Sequence, residues 1–177
     1  AEAIRHEPNN DVAHIMLGSV YEGRGRPRDA VRHYRAALRI NPDAWGAQLR
    51  LGWVLVAAEQ PELRNWQEAW GLAKRVLQAT GARSVRGWDL IGAAYAEMGR
   101  FKEAALSAEN ALRLARGQDV QTAPEDLDLP DLRIPTRPET GGDLSVEDLR
   151  FRVDCYRQHK TFLQCRADIQ KGKTLPK

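Results

Sequence analysis

The segment Gly25-Arg26-Pro27-Arg28-Asp29-Ala30 returns downstream as Gly99-Arg100-Phe101-Lys102-Glu103-Ala104. A recurrence of this kind constrains the fold more than any local propensity. It means that one supersecondary unit is used more than once and that each copy must bury its apolar face on a neighbour. Aligning outward from the two anchors gives a first unit, 11–44, with Leu17, Gly18, Tyr21, Ala30, Tyr34, Ala37 and Pro42 at the spacing of a repeat of about 34 residues. A second unit, 45–84, repeats Leu51-Gly52, Leu55, Ala69, Ala73 and Val76 once a short insertion, Gln60 to Asn65, is allowed. A third, 85–116, carries Trp88, Ile91-Gly92, Tyr95, Ala104, Ala108 and Ala111.

Each unit has the period of a helical hairpin. Ala30, Tyr34, Ala37 and Leu38 share one helix face while Arg28, Arg32 and Arg35 lie on the other. Pro42 stops the second helix, because proline restricts the preceding residue and cannot continue the helix itself. Gly18, Gly52 and Gly92, with Ala30, Ala69 and Ala104, mark positions where paired helices come close. Leu17, Tyr21, Leu51 and Tyr95 fill the space between them.

With these residues in phase, the stretch from about 1 to 116 resembles the tetratricopeptide-repeat (TPR) family. The resemblance implies an all-α fold: a helical-hairpin solenoid, here followed by an extended linker and a C-terminal helix. Ala3 and Pro8 match the last Ala and the Pro of a preceding unit, so residues 1–10 read as the second helix of a truncated upstream repeat. Its N-terminal edge is then expected to be capped by upstream sequence or by another chain. The chain opens at Ala1 with charges at Glu2, Arg5 and Glu7, which is no secretory leader, and reads as a processed or partial chain rather than a native start.

In this family the first helix of each unit lines a concave groove that holds extended or helical peptide segments. The matching positions are Val12, Ile15, Ser19 and Glu22 in the first unit, Leu49, Trp53 and Val56 in the second, and Arg86, Asp89, Ala93 and Glu97 in the third. The resemblance thus implies a groove apolar at one end and charged at the other. Arg86 and Arg50 do not complete the basic set that captures a C-terminal carboxylate. Trp53 is the expected anchor, because an aromatic in an apolar concavity offers a large contact area; packing against the Gln60–Asn65 insertion is its alternative. Trp45, Trp66, Trp70 and Trp88 read as filler between helices.

Composition excludes more than it assigns. At 177 residues and 42% hydrophobic the chain can bury a core. Its longest apolar stretch, near Leu51 to Ala58, is too short to span a bilayer. Against 24 acidic residues, 27 basic ones give no imbalance of the size nucleic-acid binding needs. No Ser, Cys or Thr is placed by sequence beside a His and a carboxylate, and every glycine belongs to a repeat or a turn rather than a phosphate-cradling loop. The reading is of a protein that is not an enzyme and has no cofactor and no metal. His14 falls at a packing position and His33 on a solvated face.

Beyond Ala115 the repeat stops. Residues 117–143 form an acidic, Pro-rich linker whose Leu127, Leu129, Leu132 and Ile134 admit two readings. One is a mobile tether; the other is a ribbon folded back over an apolar face of the solenoid, the groove included. Residues 144–177 form a C-terminal helix and a basic tail. Ser145 with Asp148 makes a capping-box-like start, and the helix is expected to end near Gln158 to Lys160. A solvated helix face accounts for the basic residues as well as contact with lipid or an acidic neighbour does. Cys155 and Cys165 would be about 15 Å apart in one continuous helix, so a disulfide needs a turn between them. Two free thiols, or a metal held with His159 and Asp154 or Asp168, are the alternatives.

A looser likeness, carried by Pro61-Glu62-Leu63-Arg64, Leu72-Ala73 and Cys155-Tyr156-Arg157-Gln158-His159-Lys160, is to the C-terminal TPR segments of bacterial envelope glycosyltransferase-like or cytochrome proteins. It implies a membrane-associated or extracytoplasmic place in the cell envelope. Three roles follow: a non-catalytic scaffold binding a partner segment in the groove, an accessory subunit packed permanently in a larger assembly, or a regulatory appendage of a bacterial membrane transferase. In each, the partner is protein.

Overall fold

The computed structural model describes residues 10–120, 122–127, 129 and 145–171. Apart from Asn10, the expected upstream helix over residues 1–10 lies outside them. Among the described residues there are eight α-helices: α1 (Asp11–Gly23), α2 (Pro27–Ile40), α3 (Trp45–Ala57), α4 (Trp66–Ala79), α5 (Val85–Glu97), α6 (Phe101–Ala115), α7 (Val146–Arg157) and α8 (Phe162–Gln170). Single 3₁₀ turns occur at Pro61–Leu63 and Glu125–Leu127. Helices α1/α2, α3/α4 and α5/α6 pack as hairpins that stack in chain order.

Local chemistry sets the helix starts. Asn10 accepts a hydrogen bond from the Ala13 amide (2.9 Å), Asn65 from Glu68 (3.0 Å), Ser84 from Gly87 (3.1 Å) and Ser145 from Asp148 (3.0 Å). Each satisfies an amide that a helix leaves without an internal partner. The recurring Gly-Arg pair has a different task. Gly25 and Gly99 turn the chain at φ +65° and +74°, a region closed to most side chains. The next residue then lays its guanidinium on the tyrosine of the helix just ended: Arg26 is 4.9 Å from the Tyr21 ring centroid and Arg100 is 4.6 Å from that of Tyr95. Each arginine also grips the acid three residues on, with Nε donating to Asp29 (2.8 Å) or Glu103 (2.9 Å).

The small repeat residues sit at the closest helix approaches. Ala30, Ala69 and Ala104 are fully buried, as are Tyr34, Ala73 and Ala108 one turn further on. A Cβ at Gly18 would collide with the Tyr34 ring of α2. At Gly52 the close neighbour is Leu90 of the following unit rather than the paired helix, so that glycine governs stacking between units. The Gln60–Asn65 insertion closes on itself and on the core: Arg64 N donates to Pro61 O (3.1 Å) and Asn65 N to Leu55 O (3.0 Å), while Glu62 pairs with Arg28 of the first unit.

The described part of the linker is docked, and not in the groove. Arg113 Nε donates to Asp119 O (2.8 Å), Asn110 Nδ2 to Thr122 O (2.7 Å) and Lys74 Nζ to Asp126 O (3.0 Å). Asp126 also accepts from the Tyr95 hydroxyl and from Arg100, both at 2.6 Å, and Leu127 is fully buried. These partners place it along the second helices, α4 and α6, and over the α5–α6 turn. Then α7 covers the end of the stack, burying Leu149, Val153 and Tyr156 against α6. A turn follows with His159 at φ +58°, closed by Lys160 N donating to Cys155 O (3.1 Å). It reverses the chain and sends α8 back over α3 and α5.

Candidate protein-interaction surface

The first helices α1, α3 and α5 share one side of the stack, and α8 lies across two of them. Phe162 of α8 packs on Trp53 of α3, ring centroids 5.4 Å apart. The guanidinium of Arg152, from α7, sits over both rings, 5.3 Å from Trp53 and 5.1 Å from Phe162, and pairs with the fully buried carboxylate of Asp89. Burial pushes the Asp89 carboxyl up and the Arg152 charge opposes it. At its start, α8 donates the Leu163 amide to Glu97 Oε1 (3.2 Å). One turn on, Arg166 Nη1 donates to Ala57 O (3.0 Å) at the C-terminal end of α3, the negative end of that helix.

Trp53 is therefore half-buried under its own chain rather than under the Gln60–Asn65 insertion. Asp89 is no open charged end of a groove; its charge is consumed by Arg152. Leu49 and Val56 belong to the buried core, 5% and 1% exposed, because the stacking of α5 on α3 turns that side of α3 inward. Ala93 is likewise buried, whereas Arg86 is exposed. In the first unit Val12 is 57% exposed, Ile15 is half-buried against the core, Ser19 accepts from Arg50 Nη1 (3.0 Å), and Glu22 accepts from the Tyr34 hydroxyl (2.7 Å). Trp88 is filler as expected, fully buried with Nε1 donating to Ala82 O (2.8 Å). Trp45, the first residue of α3, is 47% exposed because it precedes that helix's buried stripe.

The sequence singled out Val12 but not Met16 and Val20, with which it forms an apolar stripe on α1, 57%, 65% and 46% exposed. Its four-residue spacing is the available signal. A cleft of about 590 Å³ runs from the α1–α2 turn to α8, lined among others by Glu22, Pro27, Trp53, Gln60, Phe162 and Arg166.

Cys155 and Cys165 are both buried thiols, brought within hydrogen-bonding reach of each other by the turn at His159. The bond from Cys165 holds Cys155 below the ordinary thiol value, and the same contact, with burial, pushes Cys165 up. His159 is turned to the Phe101 ring, 5.2 Å away, and among the described residues no group of three or more His, Cys, Asp and Glu is placed to hold a metal ion. His33 is not on a solvated face: it stacks on Tyr21 at 5.3 Å, and its Nδ1 lies 3.1 Å from His14 Nδ1.

Helical hairpins stacked in register, with first helices on one side, second helices on the other and a helix closing the end, define an α-solenoid repeat protein. Models of the tetratricopeptide repeat match residues 11–54 and 85–118, and these segments are tetratricopeptide repeats. Between the matches lies the insertion that interrupts the second unit. No curated protein and no solved structure matched the chain. Repeats of this family generally mediate protein–protein interaction and are generally non-catalytic.

Proposed function

We propose that this chain is a non-catalytic interaction scaffold that takes a segment of a partner protein along α1 and into the cleft beside it. The observation that carries this is the exposed stripe Val12, Met16 and Val20 on α1, the helix whose Glu22 lines that cleft. Unlike α3 and α5, α1 is not covered by α8, and apolar side chains exposed in a row on an otherwise packed stack mark a contact surface. The same stripe suits a capping partner, either upstream sequence or another chain, because a repeat's outer face is stable only when covered. A photo-crosslinking residue at Met16, compared with one at Arg75 on α4, tests the reading. Partner adducts are expected at Met16 and not at Arg75; equal yields at both would overturn it.

A second reading, a subunit packed permanently in a larger assembly, draws support from Trp53 being covered by its own chain. Adducts at Met16 that persist undiminished after extensive dilution would favour it. A place at the bacterial envelope rests on the looser sequence likeness alone. Among the described residues no helix is long and apolar enough to cross a membrane.

A further inference from the structure

We infer that the surface of α3 and α5 beneath α8 is a second recognition site, for a basic helical segment carrying an aromatic residue and an arginine four positions later, and that α8 is its exchangeable occupant in cis. The inference deepens the scaffold reading above and rests on it. What the surface recognises is written in what α8 presents to it. The receiving side offers the Trp53 ring with the Arg152 guanidinium that α7 lays over it, the carboxylate of Glu97, and the carbonyl end of α3 at Ala57. The occupant supplies Phe162 to the ring and the guanidinium, a helix-start amide to Glu97 and Arg166 to the α3 terminus. A carboxylate and a helix C-terminus on one side thus meet a helix N-terminus and an arginine on the other.

Two observations make this occupant replaceable. The first is how little holds it. Helix α7 is fixed by Leu149, Val153, Cys155 and Tyr156, whereas among the described side chains α8 buries Phe162 and Cys165 and half-buries Leu163. A helix of nine residues is too short to persist without such contacts. The second is that α8 leaves the site unfilled. The cleft of about 590 Å³ continues alongside Phe162 and Arg166, so a longer or bulkier segment gains contact that α8 does not make. Exchange requires α8 to lift while α7 stays, and the turn at Gln158 to Lys160 is the hinge.

The test uses the full chain and a fluorescent peptide spanning residues 160–171 with Cys165→Ser. The variant Phe162→Ala/Arg166→Ala, whose α8 is loosened, should bind the peptide about tenfold more tightly than the unaltered chain, because a site closed most of the time has its apparent affinity reduced by the fraction open. Adding Trp53→Ala should abolish that binding. No binding by the loosened variant, or binding indifferent to Trp53, would overturn the proposal. Hydrogen exchange on the unaltered chain serves if the loosened variant fails to fold. The α8 amides should exchange at least a hundredfold faster than those of α5; equal protection would mean that α8 opens only with global unfolding and would sink the idea. Loss of peptide binding with Met16 crosslinks intact would remove this second site and leave the scaffold reading standing.

Discussion

Arg152 and Asp89 form an ion pair inside the protein, joining the helix that closes the stack to the first helix of the last repeat. Asp89 is wholly buried, and removing its partner leaves a carboxylate with neither water nor a cation. Arg152→Leu should therefore lower stability by roughly 3–5 kcal/mol, read from urea unfolding midpoints. The double variant Arg152→Leu/Asp89→Leu should recover most of that loss, since a buried pair replaced by apolar groups is often neutral. Equal losses in both variants would show that the guanidinium's stacking on Trp53 and Phe162, not its charge, matters.

Close packing at Gly18 gives a second expectation. The Tyr34 ring occupies the space a Cβ would need, and its hydroxyl is tethered to Glu22, so the ring has little freedom to move away. Gly18→Ala should cost about 1–3 kcal/mol. Gly23→Ala in the same helix meets open space and should be neutral or stabilising by about 0.5–1 kcal/mol. Thermal unfolding of the two variants side by side decides it.

The His14–His33 contact should make the first repeat sensitive to acid. Burial first, and then the charges of His14 and Arg32, hold His33 below its ordinary value. An imidazole whose folded value is depressed takes up its proton more readily in the unfolded chain. Stability should stay level above about pH 7 and fall as pH drops from about 6.5 toward the lowered folded value. His33→Gln should flatten that part of the profile; an unchanged slope in Tm against pH would locate the titration elsewhere.

Oxidation of the thiol pair should lock α8 to α7. Cys155, the more easily ionised, attacks glutathione disulfide and expels one glutathione thiolate; Cys165 then displaces the second and completes the bridge. Mass spectrometry should show the loss of two hydrogens, with Cys165→Ser stopping at the mixed glutathione adduct. The bridged protein should show slower hydrogen exchange in α8. Free thiols surviving a large excess of oxidant would count against the juxtaposition.

What sequence could reveal here follows the range of the interaction that produced it. The Gly-Arg turns, the Ala30, Ala69 and Ala104 contacts and the Ser145 cap are set by neighbours within a hairpin or a turn, and spacing exposes them. Trp53 was legible as a groove position, with the Gln60–Asn65 insertion as its alternative cover, but not as covered by Phe162, which comes from a helix that no repeat pattern announces. Leu49, Val56 and Asp89 occupy groove positions of the repeat, yet stacking and the C-terminal hairpin enclose them. The linker failed differently: its alternating leucines and acids suited either face, and Asp126 settled at the α5–α6 turn by meeting Tyr95 and Arg100, a pairing with no period to reveal it.

A repeat array held only by adjacent contacts melts like a zipper, one unit at a time from whichever end is weakest. By reaching from the last hairpin back to Ala57 in the middle one, α8 ties units two and three into a single melting block. The first hairpin stands outside that tie, so it is the part free to open alone and the place where thermal or mechanical failure should begin. The same closure slows assembly, since the chain must be complete through Arg166 before the block can form. On the ribosome, the second and third hairpins reach full stability only after the C-terminal helices are made.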